Sequence, residues 1–121
     1  FTSLPVAARD ARLAYVTPSH QYPLGPTMTL ERRLALLRWA GDGGRWIFED
    51  DYDSAFGYGG RSVMAVQGLD QAQRVIYAGS LNKILFPTVR LAYLVVPEPL
   101  MDPFGHAVVA ASGPAPAANT A

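Results

Sequence analysis

Residues 29–48, TLERRLALLRWAGDGGRWIF, decide the fold, because a helix-period stretch, a glycine-rich stop and a short apolar run follow one another directly. Leu30, Leu34 and Leu37 recur at i, i+4 and i+7, with Glu31, Arg32 and Arg38 elsewhere on the wheel, which predicts an amphipathic helix over residues 29–40. Thr29 fits the N-cap, and Gly41-Asp42-Gly43-Gly44 ends the helix. Trp46-Ile47-Phe48 then reads as a buried strand. Working outward, Leu13-Ala14-Tyr15-Val16 reads as an earlier strand, closed by Thr17-Pro18, where the residue before proline is pushed to extended geometry. Strand, helix, strand is a right-handed βαβ unit.

Further along, Val75-Ile76-Tyr77-Ala78 and the run Leu91-Ala92-Tyr93-Leu94-Val95-Val96 read as two more strands. The twelve residues between Ala78 and Leu91 are marginal for a parallel crossover with its own helix, so these two strands are expected to be antiparallel neighbours. The fold class is therefore α/β: a mixed, mostly parallel sheet with one antiparallel strand and flanking helices. Tyr58-Gly59-Gly60 reads as a turn, since no Walker or dinucleotide glycine pattern surrounds it.

The 121 residues, half of them hydrophobic, suffice for one domain with a core. Ten basic and ten acidic residues give no formal net charge, so nothing builds the basic face that a phosphate backbone requires. There is no cysteine, no apolar run approaching about 18 residues and no secretory-type amino terminus, which fits a cytoplasmic location without membrane contact. The chain starts at Phe1 without an initiator methionine, and residues 113–121 have linker composition. It reads as an internal piece of a longer protein, with 1–112 as folded domain and 113–121 as a truncated tail.

Lys83 is the only lysine and lies in Ser80-Leu81-Asn82-Lys83-Ile84-Leu85-Phe86-Pro87, between a strand and an apolar loop. Desolvation by Ile84, Leu85 and Phe86 disfavours the ammonium and frees the amine to attack a carbonyl; a solvated loop lysine is the plain alternative. At the carboxyl ends of parallel strands, where ligands of open α/β sheets bind, lie Glu49-Asp50-Asp51-Tyr52-Asp53 and Ser80. A lysine, a strand-end carboxylate, a tyrosine and an arginine form a set that a pyridoxal phosphate site uses in full. Lys83 would form the Schiff base, Asp50 would keep the pyridine nitrogen protonated, and Tyr52 would donate to the phenolic oxygen. Ser80 and Arg90 would bind the phosphate, with Asn82 as a further polar contact. Against this stand a solvated acidic turn at 49–53, a surface ion pair for Arg90, and packing or surface roles for His20 and His106. A calcium loop lacks its glycine and closing glutamate.

Three segments together carry a resemblance: residues 15–25 (YVTPSHQYPLG), 49–54 (EDDYDS) and 80–95 (SLNKILFPTVRLAYLV). Over residues 13–100 the chain resembles the aminotransferase-like domain of MocR-type transcriptional regulators of the GntR family, which is similar to fold type I pyridoxal phosphate enzymes. The resemblance implies Lys83 as the Schiff-base lysine, Asp50 as the pyridine partner, Tyr52 as the phenolic-oxygen partner, Arg90 as the phosphate arginine and Ser80 as a phosphate-side hydroxyl. It departs at Tyr22-Pro23-Leu24-Gly25, where many aminotransferases carry Asn-Pro-x-Gly, at Asn82, commonly serine, and at Ala92, commonly glycine. It implies part of a large domain that senses an amine or amino acid effector and works as a homodimer, with DNA held by a separate amino-terminal domain. An aminotransferase and a cofactor-free α/β interaction domain are the alternative readings.

Overall fold

A computed structural model describes residues 10–19, 27–52, 64–80 and 92–112. His20, the Tyr58-Gly59-Gly60 turn, Asn82, Lys83, Arg90 and the 113–121 tail lie outside the described residues. In chain order the elements are β1 (Leu13–Val16), α1 (Leu30–Asp42), β2 (Trp46–Asp51), a 3₁₀ turn (Gln67–Leu69), β3 (Val75–Ser80), β4 (Ala92–Val95), a second 3₁₀ turn (Glu98–Leu100) and α2 (Met101–Ser112). The four strands form one sheet in the order β1-β2-β3-β4. β1, β2 and β3 are parallel, and β4 runs antiparallel to β3, as the short connection requires.

Local chemistry sets the boundaries of α1. The Thr29 side chain accepts the Arg32 N–H at 3.4 Å, and the helix ends at Gly43, followed by Gly44 at φ +58°, a left-handed conformation that glycine adopts without a side-chain clash. Thr29→Ala removes this long cap bond and should lower stability by about 0.5–1 kcal/mol, measured by thermal unfolding of the full-length protein. An unchanged unfolding temperature would show that the cap contributes nothing. Between the 3₁₀ turn and β3 the Asp70 carboxylate accepts the N–H groups of Ala72, Arg74 and Val75 at 2.9, 2.6 and 2.8 Å, turning the chain into the strand.

The buried stripe of α1 differs from the leucine stripe. Arg33 and Ala40 are buried, and Leu36, Leu37 and Trp39 pack against the core of Ala40, Ile47, Val66 and Val75, whereas Leu30 and Leu34 are exposed. The core-facing side of α1 is thus rotated by roughly 80° from the Leu30-Leu34-Leu37 line, at about 100° per residue. The physical reason is Arg33: its guanidinium is satisfied inside by three carbonyls, so a charged residue occupies a position that periodicity assigns to an apolar one.

β2 is longer than the apolar triplet, and for Glu49, Asp50 and Asp51 this rules out the alternative of a solvated acidic turn. Glu49, Asp50 and Asp51 belong to the strand, and Glu49 and Asp51 are buried. Strand alternation puts Ile47, Glu49 and Asp51 on the α1 side and Trp46, Phe48 and Asp50 on the other. The α1 side also takes Val75, Tyr77 and Gly79 by register. Tyr93 lies directly over Gly79, where any side chain would collide with the ring, and its ring meets that of Tyr77 at 6.0 Å. The opposite face exposes Leu13, Tyr15 and Leu94. The helix α2, which carries an exposed His106, was not anticipated; Pro99, Pro103 and Gly105 mask its helical pattern. Among the described residues, no helix is long and apolar enough to cross a membrane.

Candidate functional site

The parallel strands β1, β2 and β3 present their carboxyl ends along one edge, the position at which open α/β sheets bind ligands. Asp50 is paired with Ala78, and Ser80 lies two residues further along β3, so Asp50 and Ser80 share one face of the sheet at this edge. Both are half-buried. Tyr52 follows directly on β2 and is also half-buried. Of the six expected site residues, the structure therefore brings Asp50, Tyr52 and Ser80 to one edge.

Asp50 has a partner that the sequence did not reveal. The Tyr15 hydroxyl donates to Asp50 Oδ2 across neighbouring strands. Tyr15 is held there by its stack on Phe48, with ring centroids 5.8 Å apart and planes 13° from parallel. Donation to the Asp50 carboxylate raises the Tyr15 pKa, with burial and the charge of Asp50 adding to it. The phenol accordingly stays protonated and keeps one carboxylate oxygen oriented. Pairing of Tyr15 with Phe48 in register, one strand from Asp50, was the available signal.

On the α1 side, Glu49 and Asp51 have structural work. Glu49 accepts the N–H groups of Val66 at 2.9 Å and Gln67 at 2.8 Å, which ties the returning chain to β2. Burial pushes the Glu49 pKa up; these two N–H donors and the Arg33 charge act in the opposite direction. Asp51 accepts the Tyr77 hydroxyl at 2.6 Å. Burial, then the bonds to Asp51 and Tyr93, raise the Tyr77 pKa, so this phenol is a donor throughout the physiological range. With Glu49 and Asp51 pinned behind the sheet, Asp50 is the carboxylate of the triplet on the opposite face. Glu49→Gln turns an amide N–H₂ toward at least one buried backbone N–H and is expected to cost about 1–3 kcal/mol, measured by chemical unfolding of the full-length protein. A neutral effect would mean that these two N–H groups find other acceptors.

The donor set fits pyridoxal phosphate: a strand-end carboxylate already held in acceptor geometry by Tyr15 suits a protonated pyridine nitrogen, and Ser80 on the same face offers a hydroxyl. Among the described residues, no group of three or more histidine, aspartate and glutamate side chains is arranged to hold a metal ion.

No family model matches the chain. It is 50% identical over 97 residues to a probable rhizopine catabolism regulatory protein, MocR, of Rhizobium meliloti, covering 80% of this chain and 20% of that protein. It is 47% identical over 103 residues to an uncharacterized HTH-type transcriptional regulator, YdeL, of Bacillus subtilis, covering 85% of this chain and 22% of that protein. Among solved structures, the kynurenine aminotransferase of Pyrococcus horikoshii superposes with a TM-score of 0.74 at 32% identity, covering 79% of this chain and 24% of that one. The chain thus spans about a fifth of the length of the curated relatives it matches. It belongs, as a segment, to the aminotransferase-like part that MocR-type regulators share with fold type I pyridoxal phosphate aminotransferases.

Proposed function

We propose that this chain is part of an effector-sensing domain of a transcriptional regulator, which holds pyridoxal phosphate through Lys83. The observation that carries this reading is the placement of Asp50, oriented by Tyr15, on the same face and edge as Ser80. When bound, pyridoxal phosphate supplies an aldehyde that condenses with amines and a pyridinium ring that withdraws electrons. Asp50 holds the proton on the pyridine nitrogen, and Tyr15 fixes the carboxylate that does so. Lys83 supplies the amine for covalent attachment, Tyr52 donates to the phenolic oxygen, and Ser80, Asn82 and Arg90 take the phosphate side. A small amine or amino acid competes with the Lys83 amine, and the resulting shift in conformational equilibrium is passed to a DNA-binding domain elsewhere in a homodimeric protein. The regulator reading is favoured over the enzyme reading because five regulator relatives are 37–50% identical, three of them 47% or more, against 34–37% for three aminotransferase relatives.

The test is to titrate the full-length protein with pyridoxal phosphate, follow the visible absorption, and then add amino acids and amines singly. A sensor gives a cofactor band that an amine shifts stoichiometrically, together with altered DNA affinity. Sustained production of an oxo acid would favour the transaminase, and absence of any band would end both cofactor readings.

A further inference from the structure

Arg33 sits in the interior, 1% exposed, and is not needed as a ligand of anything in the proposed chemistry. Its three nitrogens spread to three backbone carbonyls: Nε donates to Met28 at 2.9 Å, Nη1 to Met64 at 2.8 Å and Nη2 to Pro18 at 2.9 Å. These carbonyls come from parts of the chain far apart in sequence, up to 31 positions from Arg33. Pro18 follows β1 and Met28 precedes α1; the two are also joined by Met28 N–H to Pro18 O at 2.8 Å, and Thr27 Oγ1 donates to Ser19 O at 3.2 Å. Met64 precedes the first 3₁₀ turn, Gln67–Leu69. Glu49, on β2, anchors Val66 and Gln67, two and three residues after Met64.

We propose that Arg33 is a positioning residue for the candidate cofactor site, a buried three-pronged staple that holds Pro18, Met28 and Met64 together and, through the Glu49 bonds to Val66 and Gln67, against the strand that carries Asp50. The proposal rests on the cofactor reading above. A planar guanidinium satisfies three divergent carbonyls at once, whereas an ammonium is a point charge on a flexible stem; lysine at this position keeps the charge and loses the fork. Holding these backbone carbonyls and holding the cofactor are then linked, and the linkage is reciprocal: what fixes one favours the other.

Two measurements on the full-length protein test this. The first compares pyridoxal phosphate affinity, by visible titration, in Arg33→Lys and in Ile47→Val, a core substitution on β2 that leaves the Arg33 fork and its three acceptors unaltered. The expected result is at least tenfold weaker binding in Arg33→Lys, and less than threefold in Ile47→Val even when the two are compared at matched loss of unfolding temperature. Equal weakening at matched stability overturns the proposal, because Arg33 then acts through stability alone. The second uses the wild type, so it is independent of whether a variant folds: saturation with pyridoxal phosphate should slow amide hydrogen exchange at Met28, Val66 and Gln67 at least tenfold. Unchanged exchange at these three amides with the cofactor visibly bound overturns the proposal while leaving the cofactor reading intact. Absence of a cofactor band in the wild type overturns the reading of the site and this proposal with it.

Discussion

Substituting Lys83 by alanine is expected to abolish both the visible cofactor band of the full-length protein and any borohydride-stable label on the 121 residues described by this sequence. Lys83 is the single lysine here, so no second ε-amine within the segment can take over its role. The attachment requires a deprotonated amine, and the apolar run Ile84-Leu85-Phe86 that follows Lys83 in the sequence is the reason for expecting one here. Retention of the band and of a reducible link in Lys83→Ala would remove Lys83 from the site.

The second large effect is expected at Asp50. Asp50→Asn keeps the size of the side chain and the bond to Tyr15 but removes the charge that, in the proposed function, holds a pyridinium proton. Losing one charge-assisted hydrogen bond, about 1.5–3 kcal/mol, corresponds to roughly 10- to 150-fold weaker cofactor binding. Asp51→Asn is the matched control. Its side chain faces α1 and accepts from Tyr77, which an amide oxygen can also do, so cofactor affinity should stay within about threefold while stability falls modestly. Titration of the two variants side by side distinguishes the faces of the sheet, and equal weakening in both would contradict the assignment of Asp50.

The two aspartates also show what the sequence could convey. Four carboxylates in five residues look alike when read along the chain, and family resemblance alone selects Asp50. Once Glu49, Asp50 and Asp51 are known to extend β2, alternation separates them without any alignment: two face inward to bind backbone N–H groups and a phenol, and one faces the ligand edge. The mixed, mostly parallel sheet and the reversal of β4 against β3 were legible because loop length and short apolar runs determine them. The buried stripe of α1 was not legible, since an arginine is read as solvated unless its acceptors are known, and those acceptors are carbonyls of Pro18, Met28 and Met64, up to 31 positions away in sequence. Tyr15 escaped for a related reason: its partner lies 35 residues on, across a strand pairing.

The most direct test of the cofactor assignment is borohydride reduction of the full-length protein saturated with pyridoxal phosphate, followed by peptide mass mapping. The account predicts one stoichiometric phosphopyridoxyl label, on the peptide that contains Lys83. A label confined to other peptides, or none, with Lys83 recovered unmodified, would contradict it.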